Sequence, residues 1–185
     1  MSAGTHRVGG PSVVFGDDVN TDVIIPGRYL VSIDPRELAG HAFEPLGPRV
    51  QERLRESRVV VAGRNFGCGS AREQAATCLI GAGITAVVAA SFSRVFFRNA
   101  INTGLVAVES PGAARAVRER AGSFDGDGGV PGGEVRVDYA DGVVEVDGER
   151  FPFAPYPENL RTILESGGLI PYLMNTIATT KGGAR

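Results

Sequence analysis

The sequence predicts an α/β domain in which a parallel strand layer carries an appended antiparallel hairpin, and three observations support this. Through the first two thirds of the chain, short apolar runs alternate with helical patterns, the rhythm of parallel strands joined by right-handed crossovers. Later segments alternate polar and apolar residues around turn dipeptides, as antiparallel strands do. Glycine is 26 of 185 residues against 11 prolines, so the excess marks turns and close backbone approaches rather than a proline-rich disordered chain.

Taken in order, Ser12–Phe15 is the first expected strand and Pro48–Glu56, with proline at its first position, the first helix. Val59–Ala62 is a continuous apolar run and reads as a buried strand. Ala71–Gly81 follows as helix, Ala86–Ala90 as strand, Ser93–Ile101 as helix and Leu105–Val108 as strand. Ser123–Gly133 is acidic and glycine-rich and is expected to be a flexible loop. Glu134–Tyr139 and Val143–Val146 flank Asp141-Gly142, a type I′ hairpin signal, and Arg150–Phe153 is a third strand beyond Asp147-Gly148. Pro157 opens a helix over Glu158–Glu165, Gly167-Gly168 stops it, and Leu169–Ile177 forms one more. The length fits one domain over residues 1–185, with ends expected to fray near 1–10 and 178–185.

The charge balance, 19 basic against 21 acidic residues, lacks the footprint of a nucleic-acid binder, so no DNA or RNA partner is expected. The first ten residues, MSAGTHRVGG, have no apolar run and do not form a secretory signal, which predicts a cytoplasmic protein. Twenty uncharged residues separate Glu73 from Arg94, close to the span of a membrane helix. Gly81-Ala82-Gly83 splits them into a helical half and a strand half, so no membrane segment is expected. Two cysteines, Cys68 and Cys78, and two histidines, His6 and His41, give neither a disulfide framework nor metal-ligand spacing. No metal site is expected in this chain.

Chemistry concentrates in Gly63-Arg64-Asn65-Phe66-Gly67-Cys68-Gly69-Ser70-Ala71-Arg72-Glu73-Gln74, between a buried strand and a helix. Gly67 and Gly69 let the backbone turn sharply, and a helix starting at Ser70 or Ala71 would direct free amides at an anion. Arg72 could add a bidentate fork for a carboxylate, with Arg64 across the loop. Neither a Walker loop nor a dinucleotide fingerprint fits this run. Two readings of Ser70 stand. Ser70-Ala71-Arg72-Glu73 has the form of a capping box, and the same hydroxyl could face a ligand. Arg72 by default is a solvated helix residue, and Cys68 a small buried hydrophobe.

A second stretch, Gly16 to Leu30, carries Asp17, Asp18 and Asp22, but lacks the glycine and terminal glutamate of a calcium loop. A turn in which Asn20, Thr21 and Asp22 satisfy local amides is the plainer reading. The third stretch, Ser91 to Asn99, sets Arg94 and Arg98 on one helical face and aromatics on another, as ordinary amphipathic packing does.

With NTDVIIPGRYL, GRNFGCGSAREQA, SFSRVFFRNAINTGL and GGLIPYL in this order, the chain resembles small subunits of the aconitase superfamily. Within it, the likeness is to the 3-isopropylmalate dehydratases and the related homoaconitases, and it runs from about Val14 to Leu173. The resemblance implies a swivelling β/β/α domain of the aconitase C-terminal (small subunit) type. Such a domain docks on a large subunit that carries a [4Fe–4S] cluster, and this chain binds no cofactor itself. The implied reaction is dehydration and rehydration of a malate-type substrate, moving a hydroxyl between adjacent carbons in leucine biosynthesis. By the same resemblance, Ser70 is the catalytic base, Arg72 holds a substrate carboxylate, and Asp22 is the active-site aspartate, orienting groups rather than binding metal. Gly67, Gly69 and Ala71 form the supporting loop. Self-association of the isolated chain, through the surface meant for its partner, is a further expectation.

Two positions depart from the family's Gly-Ser-Ser-Arg-Glu-His: Ala71 replaces the second serine and Gln74 the histidine. Gln74 followed by Ala75-Ala76-Thr77 looks more like the homoaconitases. Those enzymes tend to place arginine after Tyr-Leu to meet an extra carboxylate, whereas Tyr29-Leu30 is followed here by Val31. Valine cannot pair with a carboxylate, so an apolar substituent such as isopropyl is favoured. Arg28 is the nearby arginine, with a structural ion pair as its alternative role. The expected function is therefore the small subunit of a 3-isopropylmalate dehydratase. The alternatives are a homoaconitase-like or methylmalate-type hydro-lyase, or a domain that kept the fold as a non-catalytic anion binder.

Overall fold

The computed structural model describes residues 6–122 and 128–182. Its strands are β1 (Arg7–Phe15), β2 (Val59–Ala62), β3 (Ala86–Ala89), β4 (Val106–Glu109), β5 (Gly128–Asp138), β6 (Val143–Val146) and β7 (Glu149–Pro152). They form one sheet in the order β4-β3-β2-β1-β5-β6-β7, parallel from β1 to β4 and antiparallel from β1 through β5 to β7. Between β1 and β2 lie α1 (Thr21–Ile24), α2 (Pro35–Ala39) and α3 (Pro48–Glu56). The helix α4 (Gln74–Gly81) connects β2 to β3, and α5 (Arg94–Thr103) connects β3 to β4. After β4 comes α6 (Pro111–Ala121), and α7 (Glu158–Glu165) and α8 (Leu169–Gly182) close the chain.

The continuous apolar runs of β2 and β3 follow from burial on both sheet faces. Val13, Phe15, Val60 and Val87 pack on one face with Leu38, Leu54, Leu79 and Phe96. Val14, Val59, Val61 and Val88 pack on the other with Val117 of α6 and Leu164 of α7. In β6 and in the second half of β5, from Glu134 on, only alternate residues, Val135, Val137, Val144 and Val146, are buried, because one face of that half is open to water. Gly81 lets α4 approach α2 closely, since a Cβ there would lie 1.9 Å from the Pro35 carbonyl oxygen.

Several expectations are corrected. The first strand begins at Arg7 rather than Ser12, because Arg7–Pro11 pair with Glu134–Asp138. The glycine-rich run from Gly128 to Gly133 is strand rather than loop: a Cβ on Gly128 would meet Phe15 Cα at 2.5 Å, so glycine allows close pairing with β1. Residues 123–127 of the expected loop, and residues 1–5 and 183–185 of the expected frayed ends, lie outside the described residues. Asp141-Gly142 is not a two-residue turn. Asp138 pairs with Val143, leaving a four-residue connection, and the two-residue turn with both φ positive falls at Asp147-Gly148. The helix α6 was missed, since its buried residues Ala113, Ala114 and Val117 give only a weak apolar stripe. The twenty uncharged residues divide between α4, a turn at Gly83 and β3, and among the described residues no helix is long and apolar enough to cross a membrane.

Candidate active site

The loops after β1 and β2 leave the carboxyl edge of the sheet side by side, where parallel sheets place their ligands. Gly63 N donates to Gly16 O at 2.9 Å, and Asp18 N to Arg64 O, Gly67 N to Val19 O and Thr21 N to Cys68 O, each at 2.8 Å. The Thr21 hydroxyl then donates to the Ser70 carbonyl at 2.9 Å. The loop after β3 buttresses both, with the Ser93 hydroxyl donating to Gly67 O at 2.6 Å and Asn65 N donating to Ser91 Oγ at 2.9 Å. Gly67 and Gly69 have φ of +74° and +91°, and a Cβ would strike the Phe96 ring at 2.3 Å or the Asn20 amide at 2.5 Å. Both supporting glycines are thus required by conformation and by space.

The capping box does not form. The helix α4 begins at Gln74, three residues later than expected, and Glu73 precedes it with helical angles and no side-chain cap. Ser70 is therefore exposed, and its hydroxyl has no hydrogen-bond partner among the described residues. The backbone amides of Ser70, Ala71, Arg72, Glu73 and Gln74 likewise donate to no described residue. A run of free amides beside an exposed hydroxyl suits a developing anion.

Arg72 lies in this turn rather than inside the helix, with its side chain 15% exposed. Its Nη1 donates to Asp22 Oδ1 at 2.5 Å and to the Ile25 carbonyl at 3.2 Å. Asp22 remains 56% exposed. In the same turn, Asn20 Oδ1 caps α1 by accepting from Asp22 N, as the plainer reading expected, while Thr21 and Asp22 side chains reach across to the Ser70 loop. Val31 is 94% exposed. Arg28 is committed elsewhere: it pairs with Glu44 and lies 4.7 Å over the Tyr29 ring. Glu44 is held below the ordinary carboxylate range by hydrogen bonds from Tyr29 and His41 and by Arg28.

Comparison with known proteins gives a consistent answer. An aconitase C-terminal domain model matches residues 46–113. The 3-isopropylmalate dehydratase small subunit of Moorella thermoacetica is 43% identical over 168 residues, covering 90% of this chain and 94% of that protein. The 3-isopropylmalate dehydratase small subunit 1 of Archaeoglobus fulgidus is 47% identical over 160 residues, covering 85% and 91%. The chain belongs to the 3-isopropylmalate dehydratase small-subunit family. The crystal structure of 3-isopropylmalate dehydratase from Methanocaldococcus jannaschii superposes with a TM-score of 0.76 at 36% identity, covering 96% of this chain and 99% of that one. The fold is accordingly the swivelling β/β/α domain of the aconitase superfamily.

In this family member, Asp17 is a structural latch that sequence reasoning did not assign. It accepts from Arg64 N and Nε, both at 3.0 Å, and from Arg118 Nη1 at 3.1 Å, tying the loops after β1 and β2 to α6. The Arg64 amide first, then its side chain and Arg118, outweigh burial and hold Asp17 below the usual carboxylate range. Arg64 is thereby turned away from the expected anion-binding role. Ser91 and Ser93 were also missed, although a serine ahead of a helical pattern is an N-cap signal, and Ser93 Oγ does accept from Phe96 N. Among the described residues no group of three His, Cys, Asp or Glu side chains could hold a metal ion. Cys78 is fully buried, which pushes its thiol up, and half-buried Cys68 donates to Asp18 O. These residues do not fit an iron–sulfur cluster.

Proposed function

We propose that this chain is the small subunit of a two-chain hydro-lyase that interconverts 2-isopropylmalate and 3-isopropylmalate, the step its relatives are named for in leucine biosynthesis. The observation that carries the chemistry is the exposed Ser70 hydroxyl at a turn of free amides, beside the Arg72–Asp22 pair. Ser70 removes the carbon-bound proton and returns it in the reverse sense. A serine is a poor base at its free pKa, so its alkoxide must be stabilised by the turn's amides and by Arg72. Arg72, oriented by Asp22 and the Ile25 carbonyl, keeps donors for the substrate carboxylate that gains charge as the C–H bond breaks.

The [4Fe–4S] cluster, a Lewis acid for the departing hydroxyl, belongs in this reading to the large subunit. Val31 favours an alkyl substituent over a third carboxylate, because valine offers a carboxylate no partner and the nearby Arg28 is already paired with Glu44. A cytoplasmic location and self-association of the free subunit complete the reading; sedimentation against concentration, with and without the large chain, measures the latter. Anaerobic turnover of 3-isopropylmalate by each chain alone and by the reconstituted pair tests the whole. Activity confined to the pair supports it. A well-formed pair that turns over cis-homoaconitate and leaves 3-isopropylmalate untouched would transfer the assignment to the homoaconitase-like alternative.

A further inference from the structure

The loops after all four parallel strands also meet on the α6 side of the carboxyl edge, around a cavity of about 460 Å³. Asp17 follows β1, Arg64 follows β2, Ser91 follows β3 and Pro111 follows β4, and α6 adds Arg115 and Arg118. The Ser70 turn uses the other side of the same edge, where Gly67 lies against Phe96. Open α/β sheets bind their ligands at this edge, and the proposed reaction makes no use of the α6 side.

Three guanidiniums, of Arg64, Arg115 and Arg118, line the cavity with one carboxylate, that of Asp17, an excess of two positive charges. Arg64 is committed to Asp17, donating from Nε at 3.0 Å, and adds charge only. Arg118 gives Asp17 its Nη1 at 3.1 Å, while its Nε is buried and has no hydrogen-bond partner. A buried donor on a charged group is costly unless an acceptor reaches it. Arg115, one helical turn earlier, is exposed, and among the described residues it has neither hydrogen bond nor ion pair. The Ser91 hydroxyl accepts from Asn65 N at 2.9 Å and keeps its own hydrogen to donate. The helix α6 begins here, with Pro111 and Ala114 in the wall, so the positive end of its dipole adds to the arginines. Gly63 keeps the space open, since a Cβ there would lie 1.8 Å from Asp17 Oδ1 and 2.8 Å from Arg118 Nη1.

We propose that this cavity is a binding site for a compact dianion of the phosphate class, held by Arg115, Arg118 and the Ser91 hydroxyl beside the Asp17 latch. Two excess positive charges match two negative ones. Donors on two elements suit an oxyanion with acceptors on several sides better than a single carboxylate, which one guanidinium fork would satisfy. The site is independent of the reaction assigned above. Isothermal titration of the full chain with inorganic phosphate, at constant ionic strength in sodium chloride, should show one saturable site. Arg115→Gln, at an exposed position, should weaken binding about tenfold, the worth of one charged hydrogen bond. Arg49→Gln, on α3 across the sheet, should leave it unchanged. Glycerol 3-phosphate titrated in the same way distinguishes a phosphate ester from free phosphate, and saturable binding of either supports the site. Absence of saturable binding, tighter binding of malonate than of either phosphate, or equal weakening by the two variants would overturn the proposal. So would binding that the isolated chain shows and the complex with the large subunit lacks, because the arginines would then belong to the partner's contact surface.

Discussion

Arg72 donates to the Asp22 carboxylate at 2.5 Å across fifty residues of sequence, joining the loops that leave β1 and β2. In the proposed reaction the pair works through geometry, since Asp22 and the Ile25 carbonyl both hold Arg72 Nη1 and leave the other guanidinium nitrogen free of them for a substrate. Arg72→Lys keeps the charge and loses the fork, so kcat/KM for 3-isopropylmalate should fall by at least about tenfold with normal assembly. Asp22→Asn should raise KM while leaving folding intact. Steady-state kinetics alongside thermal melts would check both.

Gly67→Ala places a Cβ 2.3 Å from the Phe96 ring at a φ of +74°. Left-handed strain costs about 1–2 kcal/mol, and the clash, like other overpacking, about 1–3 kcal/mol more. Urea denaturation should show this loss. Gly148→Ala, also at positive φ, in the two-residue turn, but with nothing within 4 Å, should lose only the conformational part.

Acid should release the Asp17 latch. Its carboxyl is depressed in the folded state by the Arg64 amide, the Arg64 side chain and Arg118, so it stabilises the fold above the ordinary aspartate value of 3.8. That contribution is lost as pH falls through the lower folded value. Asp17→Asn should be less stable than the parent at neutral pH, by about 1–3 kcal/mol, and the two curves should converge below pH 3.8.

Thr21→Val removes the hydroxyl that holds the Ser70 carbonyl while keeping the buried shape. The carbonyl loses its partner and the Ser70 turn loosens. Turnover should fall several-fold, by the worth of roughly one hydrogen bond, while the melting temperature shifts by only a few degrees.

Much of this was legible in the sequence because local rules and tertiary packing agree. The valine run of β2, Pro48 of α3 and the Pro157 start of α7 formed at their expected positions. Agreement failed where a distant partner decides. Pairing with β1 makes a strand of Gly128–Gly133. The Ser70 capping pattern yields to a backbone already held by Thr21 and Gly67, which delays α4 to Gln74. Ser70, Arg72, Asp22 and Val31 were named from resemblance. The reach of Asp17 to Arg118 and of Gln74 to Leu30 had no local signal, because each joins segments more than forty residues apart.

The proposed role of Ser70, moving the carbon-bound proton, is measured most directly by turnover of 3-isopropylmalate by Ser70→Ala in the complex with the large subunit, beside the unmodified chain. Assembly should be normal and turnover lower by roughly 10²–10⁴-fold, the range for loss of a general base. An assembled Ser70→Ala complex that turns over like the parent would contradict the account.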